Sequence, residues 1–154
     1  MQLTPLKERP DITSDTKLNG MYSQLSTFLL ELEKKSPTPE LASYINSCVS
    51  EINNSPLEGN GLRRLVRTKQ GAMVKEAEKT MKLVPKNYYR NLWMMVGMSA
   101  FGVPLGAGFG AIMGNMGLLG LGLPFGMAIG LAVGSGMDKK ALQEGRQLEV
   151  EFKH

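Results

Sequence analysis

The chain has one histidine, His154, one cysteine, Cys48, and one tryptophan, Trp93, among 154 residues. A lone cysteine excludes an intramolecular disulfide and a cysteine metal cluster. A lone histidine at the last position removes His-based triads, His acid–base pairs and most histidine metal sites. The opening stretch, MQLTPLKERPDITSD, has no apolar run, so no cleavable secretory signal is expected there. The largest absence is of charge. From Asn91 to Met137 there is no Asp, Glu, Lys, Arg or His, a run of 47 residues. One bilayer crossing takes about 20 apolar residues, so the run suffices for two with a turn between them. The soluble alternative is a buried core hairpin, but a 154-residue chain has little else to wrap it with.

Glycine fills the run, which holds 13 of the 18 glycines. Gly102, Gly106, Gly110 and Gly114 return every fourth residue, as do Gly122, Gly126, Gly130 and Gly134. Residues four apart share a helix face, so each row is a stripe. Glycine and proline are the poorest helix formers in water. In lipid, however, close packing holds helices together, and small residues let the backbones approach. The expected arrangement is a hairpin of helices Leu92–Met113 and Leu118–Gly136, turning at the GNMG tetrapeptide from Gly114 to Gly117. The stripes would meet with Gly102 level with Gly130, Gly106 with Gly126 and Gly110 with Gly122. Pro104 and Pro124 stand two residues off their stripes and are expected to kink the helices on their far sides.

These rows, followed by GLAVGSGMDKKA, resemble small bacterial glycine-zipper membrane proteins over about residues 92–141. The resemblance implies membrane insertion and helix association. It implies no single activity, because glycine zippers serve anchors, channels and assembly proteins alike.

The flanks set an orientation. Residues 60–90 carry Arg63, Arg64, Arg67, Lys69, Lys75, Lys79, Lys82, Lys86 and Arg90 against only Glu76 and Glu78, a net +7. Lys139 and Lys140 follow the run, and the turn within it is uncharged. Positive flanks stay cytoplasmic, so both termini are expected inside, in the inner membrane of a bacterium. Tyr88, Tyr89 and Trp93 gather where the first helix would enter, as interfacial aromatics do. Nine cations on a helix could also meet nucleic acid. Beside a membrane segment the simpler partner is an anionic headgroup, which attracts each cation by about 1 kcal/mol near the surface.

The N-terminal part reads as helices. Leu18, Met21, Leu25, Phe28, Leu29 and Leu32 share one face, and SPTPE then breaks the chain. Thr38 is a suitable N-cap with Pro39 at the first helical position. The helix to Asn53 would bury Leu41, Tyr44, Ile45, Cys48, Val49 and Ile52. After the NNSPLEGNG loop, a helix over Leu62–Val84 would face Leu65, Val66, Met73, Ala77, Met81 and Val84 inward. No strand pattern is visible.

The expected fold is all-α. Residues 1–17 form a flexible arm, 18–90 a cytosolic helical bundle with a basic juxtamembrane helix, 91–137 the hairpin and 138–154 a charged tail. No cofactor, metal or catalytic residue is expected. GAGFG and GLGLPFG touch a dinucleotide pattern, but no strand precedes them. Glu31, Glu33, Glu51 and Glu58 show no paired spacing. Two function classes remain. One is a self-associating homo-oligomer whose hairpin packs in the bilayer under control of the cytosolic helices, extending to a pore or a perturbed membrane. The other is an anchor that recruits a cytosolic protein partner through the N-terminal helices. The run offers only Asn91, Ser99, Asn115 and Ser135 as polar lining, which favours neither a wide nor a wet pore.

Overall fold

The computed structural model describes residues 2–153, apart from the side chain of Asp11; His154 lies outside the described residues. The chain is helical, and it divides into two compact units. One comprises Met1–Lys86 with Arg146–His154, the other Asn87–Gly145.

In the first unit, α1 (Pro10–Ser14) leads into α2 (Thr16–Lys34), α3 (Pro39–Asn53) and α4 (Gly59–Met81). Each start has a chemical cause. The Asp15 carboxylate accepts the Lys17 and Leu18 N–H groups, both at 3.1 Å, and caps α2. The Thr38 hydroxyl accepts the Leu41 N–H at 3.3 Å, with Pro39 opening α3. The core lies where the apolar stripes of α2, α3 and α4 meet: Leu25, Phe28, Leu32, Ile45, Ile52, Val66 and Met73 are fully buried. Burial of each such side chain stabilises the fold by about 1.5–3 kcal/mol. Tyr22 and Ala42 enter this core, whereas Tyr44, expected inside, is 41% exposed. The stripe on α3 is narrower than the apolar spacing suggests, and Tyr44 sits at its edge.

Two corrections concern the ends of this unit. The segment before α2 is ordered rather than a free arm. Leu3 and Ile12 are buried, and Asn46 and Asn53 of α3 bond the backbone of residues 2–7. The tail also divides. Residues 146–153 return to the first unit, where β2 (Gln147–Leu148) pairs in parallel with β1 (Val84–Pro85). Val84 N–H donates to the Arg146 carbonyl at 3.0 Å, and Lys86 N–H to the Val150 carbonyl at 2.8 Å. Leu148 is fully buried, and the Phe152 ring lies 5.6 Å from that of Phe28. Strands of two residues cannot display an alternation, so no pattern announces them.

The second unit is a pair of long helices. The first is α5 (Tyr88–Gly97), a π-helical turn (Met98–Gly102) and α6 (Val103–Met113) in one continuous rod. Gly114, at φ +66°, ends α6, and a short 3₁₀ turn (Met116–Leu118) leads into α7 (Leu119–Gln143). The Asn115 side chain accepts the Gly117 N–H at 2.9 Å and fixes the turn. The rod and α7 are long and apolar enough to cross a membrane, over Tyr88–Met113 and Met116–Gln143. The second helix runs seven residues past its expected end at Gly136, because DKKALQ contains good helix formers and nothing that breaks a helix.

A candidate membrane hairpin and the cations of the helical unit

The two apolar helices are packed inside out. Their buried positions are Tyr89, Gly97, Gly102, Gly106 and Gly110 on one rod and Gly122, Gly126, Gly130, Gly134, Asp138 and Ala141 on the other. Their large side chains point away: Phe101, Phe109, Ile112, Phe125, Ile129 and Val133 are all exposed. Only 22% and 17% of the two apolar windows is buried. A water-soluble core places large apolar side chains inside and leaves small ones wherever they fall. Here the small residues form the seam.

The seam is tight enough to require glycine. A Cβ at Gly122 would lie 2.6 Å from the Gly106 Cα, and one at Gly126 would lie 2.7 Å from the Gly102 Cα. One at Gly130 would lie 2.7 Å from the Trp93 carbonyl carbon, and one at Gly134 would lie 2.6 Å from the Arg90 Cα. No real Cβ tolerates such distances to backbone. By contrast Gly108, Gly120 and Gly136 face open space.

The register differs from the one expected. Gly122 meets Gly102 and Gly106, and Gly126 meets Gly97 and Gly102, while Gly106 reaches Leu119. The expected partners, Gly130 for Gly102 and Gly126 for Gly106, are thus displaced by about one or two helical turns. Two causes act together. The turn takes up Gly110, which lies against Asn115 and Met116 rather than against α7. The seam also continues backward through Gly97, a glycine outside the four-residue rows. Gly97 stands five residues before Gly102, which would rotate it off an α-helical stripe. The π turn supplies the missing residue: Val103 N–H bonds the Met98 carbonyl, five residues back. That wide turn immediately precedes Pro104, whose ring needs room and whose nitrogen donates no hydrogen bond. Pro104 and Pro124 are both exposed, and α7 continues through Pro124 as a single helix.

Asp138 is the residue that sequence reasoning missed. It is 7% exposed, and its two carboxylate oxygens accept the backbone N–H groups of Tyr89, at 3.0 Å, and Arg90, at 2.9 Å. It therefore caps the N-terminus of α5 from the opposite helix, where backbone donors and the helix dipole favour an anion. A signal was present. Asp138 continues the four-residue spacing of Gly122, Gly126, Gly130 and Gly134.

The cations divide by partner. Arg63 binds the Asp15 carboxylate through Nε at 2.9 Å and Nη2 at 2.6 Å. Lys69 pairs with Glu51 and Lys86 with Glu149, each at 2.5 Å. Lys82 is in the left-handed region at the end of α4, and its carbonyl accepts from Arg146 at 3.1 Å. Lys140 lies 3.9 Å from Glu144, while Arg64, Arg67, Arg90 and Lys139 are exposed. Of the three aromatics, Tyr89 is buried, its ring edge-on to Tyr88 at 5.2 Å, and Trp93 is half-buried. The Leu18 N–H first, and then the Arg63 guanidinium, hold the Asp15 carboxyl below its usual range. Burial pushes the Cys48 thiol up, which suits a core residue rather than a nucleophile. Among the described residues no cluster of His, Cys, Asp and Glu could hold a metal ion.

Comparison with known proteins adds nothing to this geometry: no family model, no curated protein and no solved structure matches the chain.

Proposed function

We propose that residues 87–145 cross a bilayer twice as a glycine-zipper hairpin, and that the chain is a membrane-anchored helical protein. The observation that carries this reading is the inversion of the second unit, with glycine in the seam and Phe, Ile, Leu and Val outside. Lipid is the solvent in which that arrangement is favourable. The two apolar helices contain 26 and 28 residues. At 1.5 Å per residue each is about 40 Å long, enough for a hydrocarbon core of about 30 Å. The basic flanks put the helical unit and both termini on the cytoplasmic side, where anionic headgroups attract the exposed cations.

Within this class, anchoring of the helical unit, which recruits a protein partner, is better supported than assembly into a pore. The glycine rows drew the expectation of a homo-oligomer, but within one chain each row already has a backbone partner on the other helix. Copies would have to meet through their outer, bulky faces. The test is particle size in mild detergent. A monomer is expected for the native chain and for Gly122→Leu, with the variant losing thermal stability. A native oligomer that falls to monomers on Gly122→Leu would overturn the anchor reading, because the seam would then lie between chains.

A further inference from the structure

The first unit contains a groove of about 930 Å³ between the first half of α2 and the first half of α4, closed at one side by Lys153. Its charge is of one sign. Lys17, Arg64, Arg67 and Lys153 line it with Arg63, and no Asp or Glu does. Arg63 is neutralised by Asp15, which leaves four cations whose side chains form no ion pair among the described residues. Gln70 lies at its floor. This residue is 4% exposed. Its amide offers both a donor and an acceptor at the groove wall.

We infer that this groove binds a phosphorylated polyol, with Arg64, Arg67, Lys17 and Lys153 holding the phosphate and Gln70 hydrogen-bonding a hydroxyl or phosphate oxygen. The volume suits a small molecule or headgroup. The lining suits this chemistry better than a nucleotide or nucleic acid, because no aromatic ring borders the groove to stack a base. Guanidinium groups match phosphate oxygens in pairs, and Thr68 at the rim adds a hydroxyl. The same chemistry is offered by a soluble sugar phosphate and by the headgroup of an anionic lipid. The inference concerns the first unit alone and does not rest on the hairpin reading.

The experiment is calorimetric titration of the full chain in a mild neutral detergent. The free probe is inositol hexakisphosphate, and the lipid probe is dihexanoyl-phosphatidylglycerol, with dihexanoyl-phosphatidylcholine as its neutral counterpart. Saturable binding of the free probe supports a soluble ligand. Binding of the glycerol lipid alone supports a headgroup. In either case Arg64→Gln with Arg67→Gln should weaken binding about tenfold or more. These two side chains are exposed, so the double variant keeps its fold. Gln70→Leu leaves the charge unchanged and should still weaken binding, a loss that diffuse attraction would not produce. Absence of saturable binding by either probe would overturn the inference. So would an equal loss from Lys75→Gln with Lys79→Gln, which lie on α4 outside the groove.

Discussion

At the scale of single residues, two carboxylates each close a helix end, and they do so differently. Asp138 is buried and serves two backbone donors on the other apolar helix. Asp138→Ala would leave the Tyr89 and Arg90 N–H groups without their acceptor, at a cost of about 1–3 kcal/mol. Asp138→Asn keeps one acceptor oxygen and should lose less. Thermal unfolding in detergent gives the order native, Asn, Ala; an alanine variant as stable as the native chain would refute the cap. Asp15 serves Leu18 and Lys17 of its own helix and Arg63 of α4. Its folded pKa is lowered, so its contribution is complete above the unfolded value of about 4 and disappears as pH falls through the folded one. Acid titration of stability should therefore show less loss below about pH 4 in Asp15→Asn, which starts lower at neutral pH. Parallel curves for the two proteins would remove Asp15 from the account.

At the scale of elements, the glycines separate into those that need to be glycine and those that do not. Gly126→Ala puts a methyl against Gly97 and Gly102 backbone and should cost about 1–3 kcal/mol, as overpacking does. Gly120→Ala meets nothing within 4 Å and should be neutral or better. Gly71→Ala, in the middle of α4 and equally unobstructed, should stabilise the helical unit by about 0.5–1 kcal/mol. Paired melting curves of Gly126→Ala and Gly120→Ala read the seam directly; equal effects would mean the helices do not meet there. The helices themselves were legible. Thr38 and Pro39 mark the start of α3 to the residue, and the Leu18–Leu32 stripe marks the buried side of α2. The register of the hairpin was not legible. A four-residue repeat looks the same after a shift of one turn. What fixes the phase is the length of the connection and the π turn that brings Gly97 onto the seam, and neither leaves a pattern in the rows. The groove was half legible: Arg63, Arg64 and Arg67 stood out as basic, but Lys17, Gln70 and Lys153 join them only through folding.

At the scale of the whole molecule, the chain leaves the helical unit at Lys86 and re-enters it at Arg146. Those two points are close: Val84 bonds the Arg146 carbonyl, Lys86 pairs with Glu149, and Arg146 reaches the Lys82 carbonyl. A membrane between them would have to sever this clasp. The segment from Asn87 to Gly145 must therefore begin and end on one side of any bilayer it enters, whatever the flanking charges say. In the proposed arrangement the charges then choose the side. The expected outcome is read by cysteine labelling in a Cys48→Ala background, with Asn115→Cys and Lys153→Cys examined separately. A reagent that cannot cross membranes should modify position 115 from outside intact cells and reach position 153 only after the cells are opened. Modification of both positions from outside would mean that α7 does not cross the bilayer between them, and would defeat the hairpin while leaving the clasp intact. Protection of 115 with a protein that stays in the soluble fraction would defeat the hairpin. Modification of 153 from outside with 115 protected would reverse the orientation. Each result separates one step of the proposal: an even number of crossings rests on the clasp, the crossings themselves rest on the inverted seam, and their direction rests on the basic flanks alone.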